Sequence, residues 1–401
     1  MFNNILITGA NFENKGAQSM LFITMHELRK RNPQISIYFA SEDMQEFPSY
    51  RFTKVYASQD AKSIALQRNK TFVILKRSMK DFAKFIIGRR DNLWKCKDLV
   101  RIMPNIDLII DVSGFNLGKK WDIATQESYL DNIRLAKAFN IPIILMPQSF
   151  GPFDYPQSKE HLLKEIAEEL PYCSMIFARE NEGFLMLERD FHLSNIRHSP
   201  DLVLQNRGID LNNVFNKAPE IIVPQIPRGA VGIVPNMQCF THGNETKNLK
   251  IYRNVIKKLL EKEKNVYIFR HSSEDLEICK KIRDISGNNV HIIENDFSCI
   301  EYDEFVKQFE FIICSRYHGA VHAYRNGIPS ILLGWATKYD ELAQLLGQDK
   351  YSFDITDDNL KVTNIVTAVE EMCDNYHNQS LRIKKYLREI NRENCFDVAL
   401  K

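Results

Sequence analysis

Runs of four or five apolar residues, each followed by a longer stretch with apolar residues at helical spacing, recur along the whole chain and leave few folds open to it. Asn4 to Thr8, Ile35 to Phe39, Leu108 to Val112, Pro142 to Met146 and Met175 to Ala178 read as buried strands. Ala17 to Arg31 and Lys159 to Leu170 read as amphipathic helices between them. The alternation resumes with Ala230 to Val234, Val266 to Arg270, Val290 to Ile293, Phe311 to Cys314 and Ser330 to Leu333. A strand apolar at consecutive positions is buried on both faces, so this pattern predicts parallel sheets covered by helices on both sides. Between the two series, Gln205 to Arg228 loses periodicity and gathers Pro219, Pro224 and Pro227. The chain is therefore expected as an α/β protein of two Rossmann-like domains facing across a cleft. The expected divisions are residues 1–215, a linker over 216–228, a second domain over 229–375, and a C-terminal helix over 376–401 that packs back.

Composition narrows the function. A net charge of +2 on 401 residues gives no global field for nucleic acid or an acidic polymer, so functional charge must be local. Met1 to Gly9 read as a strand entering a glycine turn, not as a signal peptide, and no window is apolar for long enough to span a bilayer. The eight cysteines are scattered without a C-x-x-C pair, which fits a reducing cytoplasm and gives no sign of a disulfide framework or zinc site.

The strongest local signal is Ser315-Arg316-Tyr317-His318-Gly319-Ala320-Val321-His322-Ala323, which follows the strand Phe311 to Cys314 and opens a helix. Strand ends in parallel sheets face the ligand crevice, and a helix N-terminus favours an anion. Arg316 can grip a carboxylate or phosphate through two parallel hydrogen bonds, and His318 can carry a proton near neutral pH. His322, one turn on, suits packing or support of His318. From spacing alone, a surface arginine and a packing histidine remain equally open.

This segment, followed by Asn326-Gly327-Ile328-Pro329 and Leu333-Gly334-Trp335-Ala336-Thr337-Lys338-Tyr339-Asp340-Glu341-Leu342, resembles the C-terminal signature of the polysaccharide pyruvyl transferases. Gly9 to Gln18 is similar to that family's opening glycine/asparagine loop, with Ala17 where many relatives carry an acidic residue. Pro147 to Phe153, Phe177-Ala178-Arg179-Glu180 and Ser199-Pro200-Asp201-Leu202 match three further elements in order, so the resemblance covers about residues 4 to 347. It implies a GT-B-like fold, phosphoenolpyruvate as donor and co-substrate, and a sugar acceptor. The implied product is a cyclic pyruvate ketal on a precursor of capsular or other polysaccharide, with neither metal nor cofactor taking part. A hexose such as galactose, carried on undecaprenyl diphosphate, is the acceptor that the family's roles suggest.

Set beside that chemistry, His318 is expected as the general acid that protonates the donor's methylene carbon. Arg316 and Arg179 are expected to clamp its anions. Lys338 adds a point charge, and Arg270 and His271 end another strand on the same side. A buried ion pair with Glu180 or Asp201 is the competing reading of Arg179, and a solvated loop lysine that of Lys338. Asn11, Asn14 and Gln18 in the opening loop, with Asp111, Asn116 and Gln148 near later strand ends, are expected on the acceptor side. Turn and helix-cap chemistry competes for each of these. Glu13 and Asp111 are candidate bases for the sugar hydroxyl.

Residues 70–101 hold ten basic side chains against three acidic ones, interleaved with aromatic and aliphatic residues. A basic amphipathic helix there would suit the inner membrane face and a lipid-linked acceptor, or it packs on the domain with a solvated basic side. No nucleic-acid module surrounds it. Two other readings stay open: a GT-B glycosyltransferase with a nucleotide-sugar donor, and a non-catalytic glycan-binding or assembly protein.

Overall fold

A computed structural model describes residues 2–43, 45–67, 93–241 and 243–401. It contains two wholly parallel sheets. The first comprises β1 (Asn4–Thr8), β2 (Ser36–Ser41), β3 (Thr53–Tyr56), β4 (Leu108–Asp111), β5 (Ile143–Gln148), β6 (Met175–Ala178) and β7 (Ile196–His198), in the order β3-β2-β1-β4-β5-β6-β7. The second comprises β8 (Ala230–Val234), β9 (Asn265–Phe269), β10 (Val290–Ile293), β11 (Phe311–Cys314), β12 (Ser330–Gly334) and β13 (Ser352–Asp354), in the order β10-β9-β8-β11-β12-β13. Both are doubly wound, with direction reversing between β1 and β4 and between β8 and β11. Crevices open at such points beyond the carboxyl ends of the strands.

The central strands are buried at every position, which is why the apolar runs revealed them. β3, β7 and β13 escaped that reading. Each is an edge strand of three or four residues, paired on one side and partly exposed, so its sequence lacks a continuous apolar run.

Seven helices bear on the site, numbered in chain order: α1 (Lys15–Arg31), α2 (Asn181–Phe191), α3 (Cys299–Val306), α4 (Tyr317–Arg325), α5 (Thr337–Leu345), α6 (Val362–Ile390) and α7 (Cys395–Ala399). Asn14 starts α1 by accepting a hydrogen bond from Gly16 N at 2.9 Å, and Arg29, Lys30 and Arg31 complement the dipole at its far end. Ser298 and Glu301 form a capping box on α3. Gly319 lets α4 lie close on β11; a Cβ there would stand 2.9 Å from Cys314 Sγ.

Helix α1 packs against α3 and α4, so one apolar core runs from Met20 and Phe22 in the first half to Phe305 and Tyr324 in the second. Residues 216–228 contain neither helix nor strand. The expected division at residue 375 falls inside α6, a single helix lying against Glu245–Glu261 of the second half. The return to the first half is made by α7, where Cys395 N donates to Gln205 Oε1 at 2.9 Å and Asp397 pairs with Arg31. The basic segment expected over residues 70–101 lies outside the described residues up to residue 92. Beyond that come a short 3-10 helix, Leu93–Lys97, and the helix Asp98–Ile102. Among the described residues, no helix is long and apolar enough to cross a membrane.

Candidate functional site

His318 lies on the first turn of α4, where the second half meets the first. Its Nε2 faces Asp201 Oδ2 at 3.6 Å, too long for a hydrogen bond, and has no other partner among the described residues. Gly16 makes this possible, because a Cβ there would fall 2.3 Å from the imidazole. Burial lowers the pKa of His318, and the Asp201 carboxylate opposes that shift. Burial alone would raise the pKa of Asp201, yet His318 and Arg179 hold it well below the usual carboxylate range.

Arg179 follows β6. Its Nε binds Glu180 Oε1 at 2.7 Å and its Nη1 binds Asp201 Oδ2 at 2.8 Å, while Nη2 donates to Ser149 Oγ. The side chain is 3% exposed and its guanidinium lies 4.3 Å from the centre of the Tyr317 ring. The structure therefore corrects the expectation of an open anion clamp: Arg179 is committed to a buried ion-pair network that leads to Asp201 and thence to His318. Arg316 is similarly engaged. Its Nε binds Asp275 Oδ2 at 2.8 Å and its Nη2 pairs with Asp275 and Glu274, while Asp275 also accepts from Met237 N and Ser272 N.

Lys338 differs from both arginines. It opens α5, is partly buried, and makes no hydrogen bond or ion pair with any described residue. Its Nζ sits 5.4 Å from the centres of the Tyr317 and Trp335 rings and 5.7 Å from that of Phe115. Burial, with the Arg179 charge, pushes its pKa down to about 8. Two crevices meet at Lys338 and Glu180. One of about 320 Å³ is lined by Arg179, Asp201, Tyr317 and Glu341, and one of about 240 Å³ by Phe115, Lys120, Ser149 and Trp335.

Arg270 and His271 follow β9 directly. Arg270 donates to the carbonyls of Glu294 and Asn295 at 3.0 and 3.3 Å, so its planar fork is occupied by backbone. His271 is 2% exposed, and its Nε2 has no partner among the described residues. Burial, followed by the charge of Lys15, holds its pKa well below the ordinary histidine value. Lys15 was missed by the sequence reading although it stands in the quoted loop. It is 4% exposed and crosses between the halves to Asp296 Oδ1 at 3.0 Å. A lysine beside the glycine that opens a helix was the available signal. His322, expected to pack or to support His318, is held between Asp303 Oδ1 at 3.0 Å and Ser19 Oγ at 3.1 Å.

The expected acceptor residues do not form one site. Asn11 Oδ1 accepts from Asn14 N at 2.8 Å and Asn14 caps α1, so both serve the turn. Gln18 Oε1 caps α3 by accepting from Cys299 N at 2.7 Å. Asp111 is fully buried, and its carboxylate accepts from Thr8 Oγ1, Ser113 N and Asn132 Nδ2; a sugar hydroxyl has no route to it as a base. Gln148 is 1% exposed, and neither amide atom has a partner among the described residues. Glu13 is exposed on the loop. Asn116 alone of the six lines a large cavity, about 450 Å³, with Thr8, Ser41, Lys62, Ser128 and Asn132.

Solved structures similar in fold span nearly the whole chain. A mutant of S. aureus TarM in complex with fondaparinux, alpha-GlcNAc-glycerol and UDP matches with a TM-score of 0.57 and 9% identity, over 100% of this chain and 98% of its own. An S. aureus MnaA–UDP structure matches with 0.55 and 11%, over 98% and 99%. A putative UDP-N-acetylglucosamine 2-epimerase from Listeria monocytogenes matches with 0.53 and 10%, over 96% and 91%. These likenesses show a GT-B fold and nothing finer. No curated protein matches the chain in sequence. The sequence profile of the polysaccharide pyruvyl transferases, however, matches residues 14–337, from the cap of α1 to the residue before Lys338, and the chain belongs to that family of transferases.

Proposed function

We propose that the protein transfers the pyruvyl group of phosphoenolpyruvate to two hydroxyls of a sugar, closing a cyclic ketal and releasing phosphate. The observation that carries this reading is a partly buried imidazole whose Nε2 has no hydrogen-bond partner among the described residues, set between the halves next to Tyr317, whose ring lies 5.4 Å from the Lys338 ammonium. His318 gives a proton to the donor's methylene carbon, producing an oxocarbenium-like centre that the first hydroxyl attacks. The C–O bond to phosphate breaks and the second hydroxyl closes the ring. Of the two hydroxyl protons lost, one balances the proton gained by carbon and the other leaves with phosphate.

The donor is a small polyanion, which suits the remaining groups. Lys338 meets one of its anions directly. Arg179, fixed by Glu180 and Asp201, orients the carboxylate that faces His318. Arg316, Arg270, His271 and Lys15 bring further positive or protonatable groups to the same strand ends. The free His318 has a lowered pKa, and a bound phosphate dianion raises it, so the donor helps to charge its own acid. No metal or organic cofactor has a part in this scheme. An acceptor carried on a lipid diphosphate would bring the enzyme to the cytoplasmic membrane face.

The test is phosphate release from phosphoenolpyruvate by the wild type and by His318→Ala, with hexosides and lipid-linked hexoses as acceptors. Sugar-dependent release that falls at least about 100-fold in the variant is expected from the loss of a general acid. Thermal stabilisation by UDP and none by phosphoenolpyruvate would replace this reading with glycosyl transfer.

A further inference from the structure

The smaller crevice has a composition of its own. Phe115, Phe150 and Trp335 wall it; Lys120, Lys338, Glu180 and Glu182 supply its charges, Glu182 being engaged by Thr337. Lys120 is exposed, its Nζ lies 4.3 Å from the centre of the Trp335 ring, and it makes no hydrogen bond or ion pair with any described residue. Lys338 Nζ lies 5.4 Å from the centre of the same ring, and Lys338 also lines the crevice that holds Arg179 and Asp201. One indole thus has two ammonium groups near it, one exposed and one partly buried. A carboxylate, Glu180, stands where the two crevices meet.

Each component suits one part of a sugar phosphate. The C–H face of a pyranose packs on an aromatic ring, an exposed ammonium takes a phosphate, and a carboxylate accepts hydrogen bonds from hydroxyls. The 450 Å³ cavity is the alternative seat, but it shares no lining residue with either crevice at Lys338. A sugar bound there has no shown connection with the proton-carrying imidazole. The opening loop, where the acceptor was expected, spends Asn11, Asn14 and Gln18 on its own turn and on capping α3.

We infer that the Phe115–Trp335 crevice seats the acceptor as a hexopyranosyl phosphate, with its ring on Trp335, its phosphate at Lys120 and its hydroxyl pair facing Lys338 and Glu180. This assignment rests on the pyruvyl-transfer reading and adds the substrate class and the residues that select it. Lys120 and Trp335 are binding residues in this scheme and take no part in proton transfer.

The experiment measures binding of galactose, glucose, mannose and N-acetylglucosamine 1-phosphates, and of the corresponding methyl hexosides, by calorimetry. Wild type, Lys120→Ala and Trp335→Ala are compared, with thermal stabilisation by phosphoenolpyruvate recorded for each. At least one hexose 1-phosphate is expected to bind the wild type and to bind each variant roughly tenfold more weakly. Stabilisation by phosphoenolpyruvate should be unchanged in Lys120→Ala, which should also leave methyl hexoside affinity alone. Lys120 is exposed, so that variant stands as the test if Trp335→Ala fails to fold. Equal affinity in wild type and Lys120→Ala overturns the assignment. So does a wild type that phosphoenolpyruvate stabilises but no hexose 1-phosphate binds, an outcome that leaves the donor reading in place. A wild type indifferent to phosphoenolpyruvate as well removes pyruvyl transfer, and the acceptor seat with it.

Discussion

At the scale of single residues, the fit between Gly16 and His318 is the most exacting contact of the site. Helix α1 brings its second residue so close that any side chain would occupy the imidazole's place. Gly16→Ala therefore separates two effects. Alanine favours a helix over glycine by about 1 kcal/mol, so the fold gains or holds its ground, while the imidazole must turn away from Asp201. We expect a melting temperature within a few degrees of wild type and at least about a 100-fold loss of phosphate release, the usual weight of a general acid. Near-normal turnover would show that His318 acts from another position. Arg316 and His318 were legible as strand-end residues of fitting chemistry. Their partners were not, because Asp201 stands more than a hundred positions from His318 and only the docking of the two halves brings them together. A still greater separation, 281 positions, hid the use of Gln18, whose amide reads a backbone group of α3 instead of a sugar.

At the scale of elements, α3 and α4 are held side by side by one carboxylate. Asp303 on α3 accepts from His322 and Asn326 and pairs with Arg325, all on or just beyond α4. Burial would raise its pKa, but these partners hold it down to about 2. A carboxyl with a depressed folded value contributes stability that is fully present above its unfolded value near 4 and is lost as pH falls toward 2. For a shift of this size that is about 2 kcal/mol. Asp303→Asn should therefore be less stable than wild type at pH 7, with the gap in urea unfolding narrowing as pH drops from 5 toward 2. A gap independent of pH would place the stabilisation elsewhere. The central strands were legible because burial on both faces writes an uninterrupted apolar run. Three of the four edge strands, Ile196–His198 among them, leave no such trace, though β7 delivers the chain to Asp201.

At the scale of the whole molecule, several polar contacts join the two halves, and one of them acts as a fastener. Glu341 on α5 accepts from Asn181 N at 2.6 Å and Glu182 N at 3.0 Å, capping α2 from the opposite half, while Thr337 donates to Glu182. Removing that cap in Glu341→Ala costs about 1 kcal/mol of the closed arrangement. If the donor binds only the closed form, its KM should rise roughly fivefold, while Tm changes little. An unchanged KM would mean that closure does not depend on this contact. The family and its two-sheet architecture were readable from ordered motifs and alternating runs, whereas the fastener is a relation between surfaces that no run records. The placement of α7 has a further effect, on the order in which the protein can be completed. Cys395 meets Gln205 across 190 residues of chain, and Phe396 beside it is 1% exposed against the first half. During synthesis, the first sheet leaves the ribosome with that surface bare and stays so until the second half has been translated. Vectorial folding of this chain is therefore interrupted at the surface around Gln205 until Cys395 and Phe396 have emerged.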